Sequence, residues 1–274
     1  MNIIMQFPGG LKKALTFSYD DGVRQDIRLV ALFDKYGVKG TFNINTGCFG
    51  AEKPEEVAAG KGRMSLREVK ELFENSPHEV ALHGLYHANL TQLDEMGIAN
   101  EIVTDKKNIE NIFGTVTRGA AYAYGTYNDT AIRVLKDSGV VYCRTTQSVE
   151  DFSIPKNWLE LRSTCHHKCD HLADLTARFL EPSEEPMLFY VWGHSYEFDN
   201  DDNWSVMEDL LKTASGREDV WYATNIEIFD YLAAYNALKY SVYGNLVYNP
   251  SALDVFISCD GKGVKIPAGS TVKL

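Results

Sequence analysis

Two adjacent carboxylates stand in Ser18-Tyr19-Asp20-Asp21-Gly22-Val23, directly behind the apolar run Ala14-Leu15-Thr16-Phe17. The run reads as a short buried strand entering a tight turn. Like charges this close raise each other's pKa unless a cation sits between them or the two take different roles. A surface turn would tolerate the same residues, so the pair gains meaning only from what accompanies it. A second cluster, His83-Gly84-Leu85-Tyr86-His87, follows another apolar run, Glu79-Val80-Ala81-Leu82. If the chain turns helical after His83, the two imidazoles lie four residues apart on one face. Such a pair can chelate one metal ion. One aspartate with two histidines leaves a coordination position for water, which is the composition of a catalytic metal site.

Two further runs end in the same way. Phe189-Tyr190-Val191-Trp192-Gly193-His194 is a hydrophobic strand closed by a histidine, and Arg118 to Gly125 brings small and aromatic residues to a glycine. Four strands thus deliver special residues at their C-terminal ends, the edge on which parallel α/β folds build active sites. Strand-like runs at 13–18, 38–44, 79–83, 118–123, 139–144, 187–192 and 219–223 alternate with helical patterns at 24–36, 65–75, 94–113, 128–138, 170–180, 204–214 and 225–238. That alternation is the pattern of βα units. Within 94–113, Ile98, Ile102, Ile109, Ile112 and Phe113 form a core stripe, and Gly114 ends it.

The ordered set Thr16-Phe17-Ser18-Tyr19-Asp20-Asp21-Gly22, His83-x-x-x-His87, Ala121-Tyr122-Ala123-Tyr124-Gly125 and Trp192-Gly193-His194 resembles the polysaccharide deacetylases of the NodB-homology type, carbohydrate esterase family 4. The resemblance covers roughly residues 12 to 235. It implies an α/β fold, a distorted (β/α) barrel of about seven parallel strands, and a metal-dependent hydrolase that removes acetyl groups from N-acetylated, sometimes O-acetylated, sugars. Carried over, Asp20 would be the general base, Asp21 would join His83 and His87 around the metal, and His194 would be the general acid. The backbone N–H near Tyr124 would face the developing oxyanion. The chemistry is coherent by itself. A metal activates bound water and polarises the acyl oxygen, a carboxylate takes the proton, and a histidine protonates the departing amine at neutral pH. Zinc is the default for this donor set, and cobalt, nickel or iron fit the same ligands.

One motif departs from the family. Its third segment commonly carries an arginine and prolines before the tyrosine, the arginine supporting the catalytic aspartate, and neither stands in Ala121–Gly125. Arg118 or Arg144 could supply the charge, although a surface or rim position is the commoner fate of each. Trp192, Tyr124, Tyr196 and Trp158 could stack on sugar rings, and Tyr196, just past His194, has the best case. Cys165-His166-His167-Lys168-Cys169-Asp170-His171 has no matching second pair and reads as a loop rather than a zinc knuckle, with His166 or His167 candidates to line the cleft.

Beyond the barrel, assigned to residues 1–238, residues 239–274 alternate β-prone runs with turns and read as a small β appendage packed on the barrel. Val255–Ser258 and Gly263–Ile266 look like a hairpin, and the appendage could be a sugar-binding surface, a cap or a contact in a homo-oligomer. The net charge of −11 argues against a nucleic-acid partner. No stretch suits a membrane span. The start lacks the pattern of a secretory signal, and five cysteines exclude a complete disulfide framework. The expectation is a cytoplasmic enzyme acting on an acetylated saccharide, reversed if a signal peptide has been removed. The alternatives are a hydrolase of another, cyclic, amide on the same fold and a carbohydrate-binding protein retired from catalysis.

Overall fold

The computed structural model describes residues 2–51, 54, 58 and 61–274. Its centre is Lys13–Asp20, a strand buried along its whole length. Apolar or small residues fill both of its faces, as a strand covered by helices on both sides requires. Around it runs one parallel sheet, in the order Leu161–Ser163, Tyr142–Ser148, Gly119–Ala121, Glu79–Leu82, Gly40–Ile44, Lys13–Asp20, Met187–Gly193 and Cys165–His166. Val220–Tyr222 pairs with Lys13–Leu15, while Gly40–Asn43 takes the other half of the same edge, Phe17–Asp20.

The two ends of this path, Leu161–Ser163 and Cys165–His166, are separated in sequence by Thr164 alone. Thr164 N–H donates to Tyr190 O at 2.9 Å, and the Glu150 N–H from beyond Tyr142–Ser148 donates to Thr164 O at 2.9 Å. The sheet therefore curls round on itself into a distorted barrel. Nine strands take part rather than the expected seven or so. The two additional ones are three and two residues long, too short and too polar to show period or apolar run. The second of them, Cys165–His166, opens the cysteine- and histidine-rich stretch, which thus begins as a strand and not as a metal knuckle.

The helices lie where the 3.6-residue patterns placed them, at Asp26–Tyr36, Leu66–Phe73, Asp129–Asp137, Leu172–Leu180, Ser205–Ala214 and Asn225–Asn236. Ser65 with Glu68, and Thr224 with Glu227, form capping boxes that start two of them. The expected single helix over 94–113 is instead Glu95–Ala99, a π-helical turn over Asn100–Thr104, and Asp105–Phe113. Among the described residues no helix is long and apolar enough to cross a membrane.

In the C-terminal segment the hairpin is present, Val255–Cys259 pairing antiparallel with Lys262–Ile266. Ile3–Gln6 adds to it as a third strand, so the first residues of the chain pack with the last. A second three-stranded sheet joins Lys239–Tyr240, Leu246–Tyr248 and Thr271–Lys273. Val247, Val255, Ile257 and Ile266 are fully buried against Ala234 of the last helix and Leu238 just beyond its end.

Candidate active site

The parallel register brings the candidate residues to one edge. Asp20 lies opposite Asn43, Tyr19 opposite Gly193, Ile44 opposite Leu82, and Ala121 opposite Arg144. The residues that follow, Asp21, His83, Tyr122 and His194, therefore leave the C-terminal ends of neighbouring strands. Several adopt backbone that L residues rarely visit: φ is 86° at Asp21, 58° at His87 and 58° at Tyr124. Such outliers cost on the order of 1–3 kcal/mol each and persist where the surroundings dictate them.

Asp21, His83 and His87 form one cluster whose ligand atoms all lie within 4.8 Å of one another. Asp21 Oδ1 is 3.9 Å from His83 Nε2 and 3.5 Å from His87 Nε2. The stretch from His83 to His87 does not turn helical. It is an irregular loop in which Gly84 (φ 80°) and His87 reverse the chain, and this folds the two imidazoles to a ring separation of 4.8 Å. His83 Nδ1 lies 2.9 Å from Ala121 O; a carbonyl only accepts, so Nδ1 carries the proton and Nε2 presents a lone pair. Burial pushes His83 down from the usual histidine value and His87 down to about 3, which keeps both neutral and able to ligate. Burial opposes ionisation of Asp21, but Arg63 and the histidines outweigh it and hold its carboxyl far below the usual range. Asp21 Oδ2 is buried and accepts no hydrogen bond from the described residues, with the Lys61 ammonium at 3.4 Å. One anionic oxygen donor and two neutral imidazoles converging on a space beside an unsatisfied oxygen fit a divalent cation.

Asp20 is the neighbouring, differently employed carboxylate. Its Oδ1 accepts from Asn43 Nδ2 at 2.8 Å and its Oδ2 from Arg144 Nη2. Arg144 is 1% exposed, lies 4.1 Å over the Trp192 ring and donates to Thr145 O. The missing arginine is thus supplied from the next strand, opposite Ala121. Arg144 is no rim residue, whereas Arg118 makes a two-pronged contact to Asp230 at 2.8 and 2.6 Å elsewhere. Burial again opposes ionisation of Asp20, and Arg144, His83 and His194 together hold its carboxyl below the usual range.

His194 faces Asp20 from the last strand, its Nε2 4.0 Å from Asp20 Oδ2. Its Nδ1 lies 3.2 Å from Glu197 Oε2, so the proton on Nδ1 points at the carboxylate and Nε2 faces the site. Burial pulls the His194 pKa down, but the Glu197 hydrogen bond and the Asp20 charge raise it above the ordinary value. Glu197 is itself held far below its usual range against burial by His166 and His194. His166 Nε2 is 3.2 Å from the same Glu197 oxygen. His167 is buried, stacked 5.7 Å from Tyr19 and 4.2 Å from Phe198, and burial with His166 pushes it down to about 2. His166 thus supports the site through Glu197, and His167 is packing.

The aromatic candidates divide. Tyr124 is 63% exposed with its ring 4.5 Å from His87, and Tyr196 lies 5.3 Å from His194. Trp192, expected to meet sugar, is buried, with Arg144 over its face and His166 at its edge, so its ring is already occupied. Trp158 packs edge-on against Phe229. Arg144 is one of two arginines the sequence offers for the charge the third motif lacks, while Arg63, Asn43, Glu101, Asp105 and Glu197 carry no motif that singles them out. Only Glu197 carried a local signal, its position three residues after His194.

Gly193 shows how tightly this edge is packed. A Cβ there would fall 2.0 Å from His167 Nδ1, whose ring is wedged between Tyr19 and Phe198 and cannot retreat. Gly193→Ala is expected to lower unfolding free energy by about 1–3 kcal/mol, read as a drop in the urea midpoint at unchanged slope.

The chain is thus an α/β barrel with a carboxylate–imidazole cluster on its C-terminal edge. Residues 9–143, just under half of the chain, match the model of the polysaccharide deacetylase family. Among solved structures it is similar to the Streptococcus pyogenes deacetylase PplD in complex with acetate, at 20% identity and TM-score 0.50, over 60% of this chain and 69% of that one. A Mycobacterium smegmatis protein assigned as a polysaccharide deacetylase matches at 14% identity and TM-score 0.57, over 85% and 94%. Puue allantoinase matches at 13% identity and TM-score 0.59, over 81% and 90%. These likenesses carry the fold. No curated protein matches the sequence.

Proposed function

We propose that this protein is a metal-dependent hydrolase that removes acetyl groups from an N-acetylated saccharide. Asp21, His83 and His87 hold the metal, Asp20 is the general base and His194 the general acid. The observation that carries the reading is the division of labour between adjacent carboxylates: Asp21 is aimed with two neutral imidazoles at one space, while Asp20 is turned to Arg144, Asn43 and His194. In this family fold, a deacetylase hydrolase is the activity that arrangement supports best. A divalent ion, zinc by donor type, would supply Lewis-acid polarisation of the acyl oxygen and activation of water when bound.

The chain's own residues do the rest. Asp20, kept ionised by its neighbours, accepts the proton of the attacking water. His194, whose pKa Glu197 raises, donates from Nε2 to the departing amine nitrogen on the Asp20 side of the site. The N–H near Tyr124 would face the charge that builds on the acyl oxygen. Tyr124 and Tyr196 flank the site as surfaces for a sugar ring, Trp192 having been claimed by Arg144. Residues 1–238 would form the catalytic unit, with 239–274 as an extension.

Glu197→Gln removes the group that raises His194. The imidazolium then loses its proton at lower pH, so the alkaline limb of the kcat profile is expected to move down in pH. Near-neutral activity falls by about tenfold, short of the about 10²–10⁴-fold that a general acid contributes in full. A profile that keeps its alkaline limb would remove Glu197 from this role. The reading as a whole is tested by assaying the zinc-loaded protein for acetate and free amine on a panel of N-acetylated saccharides, with cyclic amides alongside. Equimolar acetate and amine are expected; ring opening with no acetate would replace the sugar by a cyclic amide.

A further inference from the structure

The loop that carries both histidines is not held by its own hydrogen bonds. Its N–H groups are collected by the interrupted helix over 95–113. Glu101 Oε2 accepts Tyr86 N–H at 3.0 Å and Ala88 N–H at 3.4 Å. Glu101 O accepts Leu85 N–H at 3.0 Å. Asp105 Oδ2 accepts His83 N–H at 3.2 Å, a donor it shares with Ile44 O at 3.1 Å. Asp105 Oδ1 takes both Thr46 N–H at 2.9 Å and Thr46 Oγ1 at 2.7 Å, which ties the neighbouring strand end to the same carboxylate. Both acids are buried, Glu101 4% exposed and Asp105 not at all.

The π-helical turn Asn100–Thr104 makes this possible. At its end Asp105 N–H is given to Ile102 O, while Glu101 O is turned to Leu85 N–H. A π-turn inside a helix is rare and is frequently met at functional sites. Glu101 and Asp105, four residues apart, face the loop together. Gly84 completes the fit, since a Cβ there would meet Glu101 Oε2 at 3.2 Å and its φ is 80°.

We propose that Glu101 and Asp105 are positioning residues for the metal ligands: the π-turn registers their carboxylates on the backbone of His83–Ala88 and so fixes where His83 and His87 present their nitrogens. The inference rests on the reading of Asp21, His83 and His87 as the metal site. Groups that orient metal ligands typically change affinity about 10–100-fold when lost. The two acids are expected to respond differently to amide replacement. Both side-chain bonds of Glu101 end on one oxygen, which a glutamine carbonyl can replace, whereas Asp105 uses both oxygens as acceptors and an asparagine NH₂ would oppose one set of donors.

The test is zinc affinity by competition with a chromophoric chelator, with unfolding followed for each variant. Glu101→Ala and Asp105→Asn are expected to weaken zinc by about 10–100-fold, and Glu101→Gln to stay within about threefold of wild type because its carbonyl keeps both contacts. Should Asp105→Asn not fold, the Glu101→Ala and Glu101→Gln pair decides alone. Folded Glu101→Ala and Asp105→Asn with wild-type affinity would overturn the inference, as would a Glu101→Gln loss equal to that of Glu101→Ala. His87→Ala is the control: if it binds zinc like wild type, or wild type binds none, the metal-site reading fails instead.

Discussion

Asp20→Asn is expected to lower acetate release by about 10²–10⁴-fold, the range for a lost general base, while zinc still binds at one equivalent. Asparagine keeps an oxygen for Asn43 Nδ2 but cannot take a proton at neutral pH. The three ligand side chains are untouched, since none of them depends on Asp20 for a hydrogen bond to its own metal-facing atom. The substitution also strips Arg144 of its anion, leaving the guanidinium with Thr145 O and the Trp192 ring. A loss of stability therefore accompanies the loss of rate. Rates are compared below the melting transition, with metal content measured on the same sample. A variant that keeps wild-type turnover would remove Asp20 from the reaction, and one that loses zinc along with turnover would make it a ligand.

Arg144→Met tests the same pair from the other side and should carry the largest stability effect. Removing one member of a buried ion pair costs about 3–5 kcal/mol, because the remaining charge stays in a dry site uncompensated. Here the side chains are 1% and 3% exposed, so solvent screens little of it. Asp20 is an acid whose folded pKa is held below the ordinary value, so its contribution to stability is present above the unfolded pKa and is lost as pH falls. In Arg144→Met that depression is relieved and the carboxyl takes up a proton more readily. The stability deficit should then be greatest at neutral pH and shrink toward acid. The acid limb of kcat/KM should move to higher pH, since the base must be ionised to work. Arg144→Lys should recover part of the charge effect but not the directed contact. An unchanged acid limb would show that Arg144 holds the fold and does not tune the base.

Much of this arrangement was legible because its residues follow apolar runs. Asp20 ends a buried strand and Asp21, His83 and His194 each directly follow one, and the strand edge then gathers them without further instruction. The wrong expectations have identifiable sources. A helical turn after His83 would bring the imidazoles together by i, i+4 spacing, but Gly84 and the pull of Glu101 on Tyr86 and Ala88 fold a loop that achieves the same proximity. Arg144 lies 124 residues from Asp20, and nothing local distinguishes a buried arginine from one on the rim. Its neighbour strand explains the departure in the third motif: with Gly119, Ala120 and Ala121 in place, the charge arrives from the adjacent strand. Glu101 sat within a helical pattern as an ordinary polar position, and the π-turn that gives it a role has no signature in hydrophobic period.

A metal-dependent deacetylase must couple bound metal to acetyl transfer to water. The most direct measurement is the initial rate of acetate release from an N-acetylated saccharide as chelator-stripped protein is titrated with zinc. No release is expected at zero metal, then a linear rise and a plateau at one equivalent per chain. Release that persists without metal, or protein that binds one zinc and frees no acetate from any saccharide, would contradict the reading.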